Sequence, residues 1–526
     1  MLTGTANHGF TVIRTQALHE LDAVMYHMRH ERTRLELVWL RRGEENRTFG
    51  IAFPTLPEDD TGVFHILEHS VLCGSERYPT KEPFVELMKT SMNTFLNAMT
   101  FPDKTYYPIS SRNPKDFLNL MRVYLDAVFR PLIYEKSEIF RQEGWHYELA
   151  EDGTLSRKGV VYNEMRGAFA DADELEEDAI MRALYPDTPY RFVSGGDPEH
   201  IPELTYERFL DFHRRFYSPS NAYVYLDGDV DIDEVLGILD GEYLSGFAAG
   251  ERIPVPELQR PVRAGEQRVV YELPAEEDPR ERYRLAWGRV AGEITDRVRM
   301  TAMQLLCNVL CGNNQSVLTR EMLAAGLGEA VSMMLWDGCA QPFIKLEVRN
   351  ISEDKLARAG EKLRAVLGGL AENGLDRREL EAAMANLEFQ MRERDFGYYP
   401  QGLGISFGVL DSWLHGGEPE ALVEVGTLFD TLRARMEEGY FEELIRSVLL
   451  ENPHACEVVM VPSHTAGEER RERDAKELER LAASWSEAER GRVRSQQAAL
   501  DAWQGSSDSP EALAALPRLE LSDISP

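Results

Sequence analysis

The chain has 526 residues, of which 43% are hydrophobic and 9% aromatic. At ~100–200 residues per domain, this length accommodates several domains, and the composition excludes a disordered or low-complexity protein. The 58 basic and 90 acidic residues give a formal net charge of -32, which argues against nucleic-acid or anionic-membrane binding. We therefore expect neither nucleic acid nor a membrane among the partners.

Targeting and redox signals are weak in this chain. No apolar run approaches the ~20 residues that cross a bilayer, and the N-terminus lacks the basic and apolar regions of a signal peptide. Five dispersed cysteines do not form a disulfide framework. We expect a soluble protein that stays in its compartment of synthesis.

The first part of the chain mixes strand-like and helix-like segments. The pattern predicts strands at 35–40 and 48–53 and helices at 83–89 and 117–129. Three prolines between residues 250 and 261 indicate an extended linker. The first predicted domain therefore covers residues 1–250, with α+β layers.

A second alternation of strands and helices runs through residues 267–465 and predicts another α+β domain of similar size. From residue 466 to 526 the charge pattern predicts a helical hairpin with a flexible tail, and Ser486 with Glu489 forms a capping-box pattern. This hairpin is either a simple surface pair or a connector to a further domain.

The strongest chemical signal is the group His65, Glu68 and His69, which lies among apolar residues and predicts a buried helix. Positions i and i+4 share one helix face, so both imidazoles can reach one metal ion, and Glu68 could take a proton from water beside it. The alternative is a pair of core histidines whose ring nitrogens are satisfied by backbone carbonyls.

A catalytic zinc ion also needs a third protein ligand. Glu164 is a candidate because it lies among apolar residues at the start of a helical stretch. Glu143 and Glu148 remain alternatives, since spacing does not choose among the three.

Residues 93–108 form a strand-prone stretch that is interrupted by Pro102 and closed by Pro108, as in strands at a sheet edge. An exposed edge can accept a peptide as an added strand. An ordinary hairpin explains the same pattern.

Four segments in order resemble the presequence protease branch of the pitrilysin/insulinase zinc peptidases. They are residues 65–75 (HILEHSVLCGS), 97–108 (NAMTFPDKTYYP), 142–148 (QEGWHYE) and 159–167 (GVVYNEMRG). The resemblance implies two α+β sandwich domains with antiparallel sheets, followed by a C-terminal helical hairpin. It also implies that His65, His69 and Glu164 bind Zn2+ and that Glu68 is the general base.

The same resemblance implies that Asn97, Ala98 and Met99 belong to the edge strand on which the substrate backbone docks. The implied activity is endoproteolysis of short unstructured peptides with broad specificity, in the cytoplasm of a bacterium or the matrix of a eukaryotic organelle.

Two features depart from the family pattern. Family members often carry a second glutamate seven residues before the third ligand, where this chain has Arg157. Presequence proteases also have a second half after the hairpin, so we expect a C-terminal half or a partner subunit. Without it, the chain is either an active endopeptidase half or a zinc-loaded but inactive half that binds peptide or partner. A purely structural protein without metal is the third reading.

Overall fold

The structure, a computed structural model, describes residues 2–524. Its first part combines strands and helices as predicted. The strands are β1 (Ala6–Asn7), β2 (Phe10–Leu18), β3 (Ala23–His30), β4 (Glu36–Arg41), β5 (Arg47–Pro54), β6 (Asn93–Leu96), β7 (Met99–Thr100), β8 (Lys104–Ser111), β9 (His146–Leu149), β10 (Leu155–Lys158) and β11 (Tyr223–Asp227). The helices are α1 (Val63–Val71), α2 (Pro83–Thr90), α3 (Pro114–Phe129), α4 (Ser137–Glu143), α5 (Val160–Ala168), α6 (Ala172–Leu184), α7 (Tyr206–Phe216) and α8 (Ile232–Ile238).

Nine of these strands form the first sheet, in the order β1-β2-β3-β4-β11-β5-β8-β6, with β7 also paired to β8. Every neighbouring pair is antiparallel apart from β4 and β11. The predicted antiparallel sheet is confirmed with this one exception, which the long connection from β4 to β11 permits. One face packs against α1, α3, α7 and α8 in the main core.

The second part follows residues 247–262, which contain no helix or strand. Its strands are β12 (Arg263–Glu272), β13 (Tyr283–Val290), β14 (Ala330–Trp336), β15 (Phe343–Ile351) and β16 (Ala455–Ser463). Its helices are α9 (Arg297–Cys311), α10 (Val317–Ala324), α11 (Leu356–Asn373), α12 (Arg377–Glu393), α13 (Gln401–Trp413), α14 (Leu428–Glu437), α15 (Tyr440–Leu444), α16 (Ala466–Ser484), α17 (Glu487–Gly505) and α18 (Pro510–Ala515).

The second sheet repeats the topology of the first. Its order is β12-β16-β13-β15-β14, and only β12 and β16 run parallel. The strands β4-β11-β5-β8-β6 have the same order, with the parallel pair in the same place. The shared frame is therefore a matter of connectivity, since the two parts show no close repeat of residues.

Each sheet is covered on its second face by a helix from the other part. Helix α13 packs Leu403, Val409 and Leu410 against the first sheet. Helix α6 packs Ile180 and Leu184 against the second sheet. This reciprocal packing buries apolar surface that each part alone would expose to water.

The C-terminal helices α16 and α17 form the predicted hairpin, and both hydrogen bonds of the capping box at Ser486 and Glu489 are present. The predicted flexible tail is wrong in part. Residues 510–515 form α18, with the hydroxyl of Ser509 as its N-cap. Further on, the side chain of Asn113 donates a hydrogen bond to the carbonyl of Asp523.

Candidate functional site

Helix α1 places His65 and His69 one turn apart, with ring centroids 4.9 Å from each other. The helix is buried along nearly its whole length, and His65 and Glu68 are each only 9% exposed. It begins after Gly62, which has a φ of 63°. A Cβ on Gly62 would lie 2.5 Å from the Cα of Gly196, so glycine permits a close approach of the loop around residue 195.

Helix α5 brings Glu164 to the histidines. Its Oε1 lies 3.6 Å from Nε2 of His65, and its Oε2 lies 3.9 Å from Nε2 of His69. One ligand atom from each of these three residues lies within 4.8 Å of the others. Two imidazole nitrogens and one carboxylate oxygen at this separation fit the donor set of a catalytic zinc ion.

The start of α5 depends on Gly159, whose φ is 151°. A Cβ at this position would lie 2.0 Å from the carbonyl oxygen of Gly144, the residue that ends α4. Glycine therefore allows the segments that carry Glu143 and Glu164 to touch.

Hydrogen bonds fix the orientation of both imidazole rings. Nδ1 of His65 donates to the carbonyl of Gly195 at 2.9 Å, and Nδ1 of His69 donates to Oε2 of Glu143 at 3.3 Å. Both rings therefore direct Nε2 toward Glu164. Such outer partners set the tautomer and the aim of metal-binding histidines.

The pair of His69 and Glu143 shifts the pKa of each partner. Burial alone would lower the pKa of His69, but the hydrogen bond to Glu143 and the charges of Glu68, Glu143 and Glu164 outweigh it and raise this pKa. Burial would raise the pKa of Glu143, yet hydrogen bonds from His69 and Gln142 lower it. Both directions favour an ionised Glu143 that accepts from His69.

Glu68 lies beside the three potential ligands and is not one of them. Its Oε2 accepts a hydrogen bond from the hydroxyl of Thr100 in β7 at 2.6 Å. Sequence reasoning missed Thr100, although it follows directly after the predicted docking residues.

The other two candidate ligands lie elsewhere. Glu143 contacts the Nδ1 side of His69, away from Glu164. Glu148 is in β9 and forms an ion pair with Lys158 at 3.4 Å. Arg157, at the position of the family's second glutamate, pairs with Glu477 of the hairpin and takes no part in the site.

The predicted docking residues lie at the outer side of β8, the strand that pairs with β6 and β7. Asn97 is exposed, Ala98 is buried and Met99 is half-buried. The hydroxyl of Tyr124 donates to the carbonyl of Asn97 at 3.2 Å. Among residues 2–524, no strand pairs with the other edge of β6 or β7.

Solved structures share this fold. A protease from Helicobacter pylori aligns with a TM-score of 0.64 and 16% identity, over 85% of this chain and 99% of that chain. Pitrilysin aligns with a TM-score of 0.61 and 16% identity, over 87% of this chain and 46% of that chain. The fold is therefore that of the M16 peptidases. In residues 2–524, no helix combines the length and apolarity needed to span a membrane.

Sequence comparison leads to the family. Residues 203–387 match the family described as "Peptidase M16 inactive domain". Residues 460–526 match the family of the region associated with subfamily C of the same M16 peptidases. Neither segment contains the histidines of α1.

Longer matches cover nearly the whole chain. Protein HypA of Clostridium perfringens is 39% identical over 98% of this chain and 53% of that protein. Presequence protease 1, chloroplastic/mitochondrial, of Arabidopsis thaliana is 37% identical over 98% of this chain and 49% of that protein. The mitochondrial presequence protease of Xenopus laevis is 30% identical over 99% of this chain and 51% of that protein. The chain belongs to the pitrilysin/insulinase peptidase family, in its presequence protease branch, and spans about half the length of these relatives.

Proposed function

We propose that this chain is the catalytic half of a zinc-dependent endopeptidase that cleaves short, unstructured peptides with broad specificity. The observation that carries the proposal is the convergence of His65, His69 and Glu164, with Glu68 beside them and an open strand edge next to the group. Relatives named presequence proteases support the same reaction class.

His65, His69 and Glu164 would hold the zinc ion. When bound, zinc supplies a Lewis acid that polarises the scissile carbonyl and lowers the pKa of water. The protein's own contribution is to hold two neutral imidazoles and a carboxylate in place, because Nδ1 of each histidine already donates to a fixed oxygen.

Glu68 would act as the general base. Its Oε2 is held by Thr100, which leaves Oε1 to take the proton of the attacking water. The protonated carboxyl group would then pass this proton to the leaving amine. Its position on a buried helix limits its movement between the two transfers.

The edge formed by β6, β7 and residues 97–99 would bind the substrate backbone as an added strand. Main-chain hydrogen bonds depend little on side-chain identity, so broad specificity follows. An extended backbone is also required, and this favours unstructured peptides over folded proteins.

A second candidate function rests on the length of the relatives, about twice that of this chain. In this alternative, the chain binds zinc and peptide but turns over only with a C-terminal half or a partner subunit. We propose the bacterial cytoplasm or an organelle matrix as its compartment.

The test is hydrolysis of a fluorogenic, unstructured peptide of ~15–30 residues by the zinc-loaded chain, with Glu68→Gln and a chelator as controls. Turnover that both controls abolish would support the complete peptidase. One zinc ion per chain without turnover would support the inactive half. A chain that binds no zinc under metal-replete conditions would overturn the ligand assignment.

A further inference from the structure

Glu143 is a buried carboxylate that the proposed reaction does not use directly. It is the last residue of α4 and is only 7% exposed. Its Oε2 meets Nδ1 of His69, whereas Glu164 lies on the Nε2 side of the same ring. The imidazole of His69 therefore stands between two carboxylates.

The other oxygen of Glu143 is also occupied. Its Oε1 accepts from Nε2 of Gln142 at 2.8 Å and from Sγ of Cys73 at 3.5 Å. These contacts hold the carboxyl group so that Oε2 faces His69. The arrangement fixes both the position of the carboxylate and the tautomer of the ring.

The charge of Glu143 has few partners. Among the described residues, His69 is the only basic side chain that forms an ion pair with it. A buried carboxylate with one imidazole as its charge partner is costly unless positive charge lies close by. A cation on the Nε2 side of His69 would supply that charge through the ring.

We infer that Glu143 is a positioning residue for a metal ion, which acts through His69 by fixing its Nε2 toward the ion and by raising its basicity. This inference rests on the proposed function, because it assumes that His69 is a zinc ligand. It adds a residue that sequence reasoning had considered only as a direct ligand.

The experiment measures zinc affinity by competition with a chromophoric chelator, in wild type and in Glu143→Ala and Glu143→Gln variants. We expect Glu143→Ala to bind zinc about 10–100-fold more weakly than wild type. Glu143→Gln keeps an acceptor but loses the charge, so its loss should be smaller. Because glutamine preserves size and an acceptor, it decides the question if the alanine variant does not fold.

The matched control is Glu148→Gln, which removes a nearby carboxylate that does not contact either histidine. Its zinc affinity should stay within about twofold of wild type. Wild-type affinity in both Glu143 variants, or an equal loss in the control, would overturn the inference. A wild-type chain that fails to bind zinc would instead overturn the proposed function, and the inference with it.

Discussion

The carboxylate of Glu68 receives one hydroxyl hydrogen bond, from Thr100 at 2.6 Å. Thr100→Val keeps the shape of the side chain but removes this donor, so Glu68 loses its fixed orientation. A hydrogen bond to a charged group contributes about 1.5 kcal/mol or more, and we expect kcat to fall about 10-fold or more. Steady-state kinetics would measure this fall, with zinc content unchanged.

The control for this prediction is Thr94→Val. Thr94 lies on neighbouring β6 and donates to Asn46, away from Glu68. Its substitution should leave kcat near the wild-type value. Equal rates in the Thr100→Val variant and wild type would remove Thr100 from the catalytic arrangement.

At the scale of elements, the contact between the end of α4 and the start of α5 sets the distance between two carboxylates of the site. Gly159→Ala would place a Cβ 2.0 Å from the carbonyl oxygen of Gly144. We expect a loss of more than ~1 kcal/mol in unfolding free energy, because the backbone must shift. Zinc affinity should fall about 10-fold or more, since Glu143 and Glu164 move apart.

Gly167→Ala is the matched control for Gly159→Ala. Gly167 lies in the same helix, and a Cβ there meets nothing within 4 Å. Alanine should stabilise α5 slightly, by about 0.5–1 kcal/mol. Denaturant unfolding and chelator competition on both variants would check the pair, and a neutral Gly159→Ala would show that the junction tolerates a side chain.

Sequence reasoning reached the helix that carries His65 and His69, because a buried apolar pattern with two histidines at i and i+4 is a local signal. Glu164 and Glu143 could not be separated in this way. They differ only in which ring nitrogen of His69 they face, and that depends on tertiary packing. The carbonyl of Gly195 was also missed, since a backbone acceptor has no side-chain pattern.

Much of the fold could be predicted from residues, including β4, β5, α3 and the hairpin of α16 and α17. Alternation and caps identify such elements without tertiary information. The covering of the first sheet by α13 could not be predicted, because an apolar face does not reveal which element will pack against it. The domain limits at 250, 267 and 465 stay a prediction.

At the scale of the whole molecule, the reciprocal packing of α6 and α13 predicts that the linker is not what holds the two parts together. A protease site inserted after Glu257, which is exposed, would cut the linker. We expect the two fragments to elute together from a size-exclusion column, because both buried faces remain covered.

The control for this cut is the same sample in denaturant, where the fragments should separate. Fragments that separate under native conditions would show that the two parts associate only through the covalent linker.

The route of the chain from α5 into α6 has a mechanical consequence. His65 and His69 are on α1, which is embedded in the core of the first sheet, whereas Glu164 lies just before a helix seated on the second sheet. An ion held by all three residues would act as a clasp between the two sheets. Any rocking of one sheet against the other would stretch that clasp first, so metal occupancy and the stiffness of the molecule would rise and fall together.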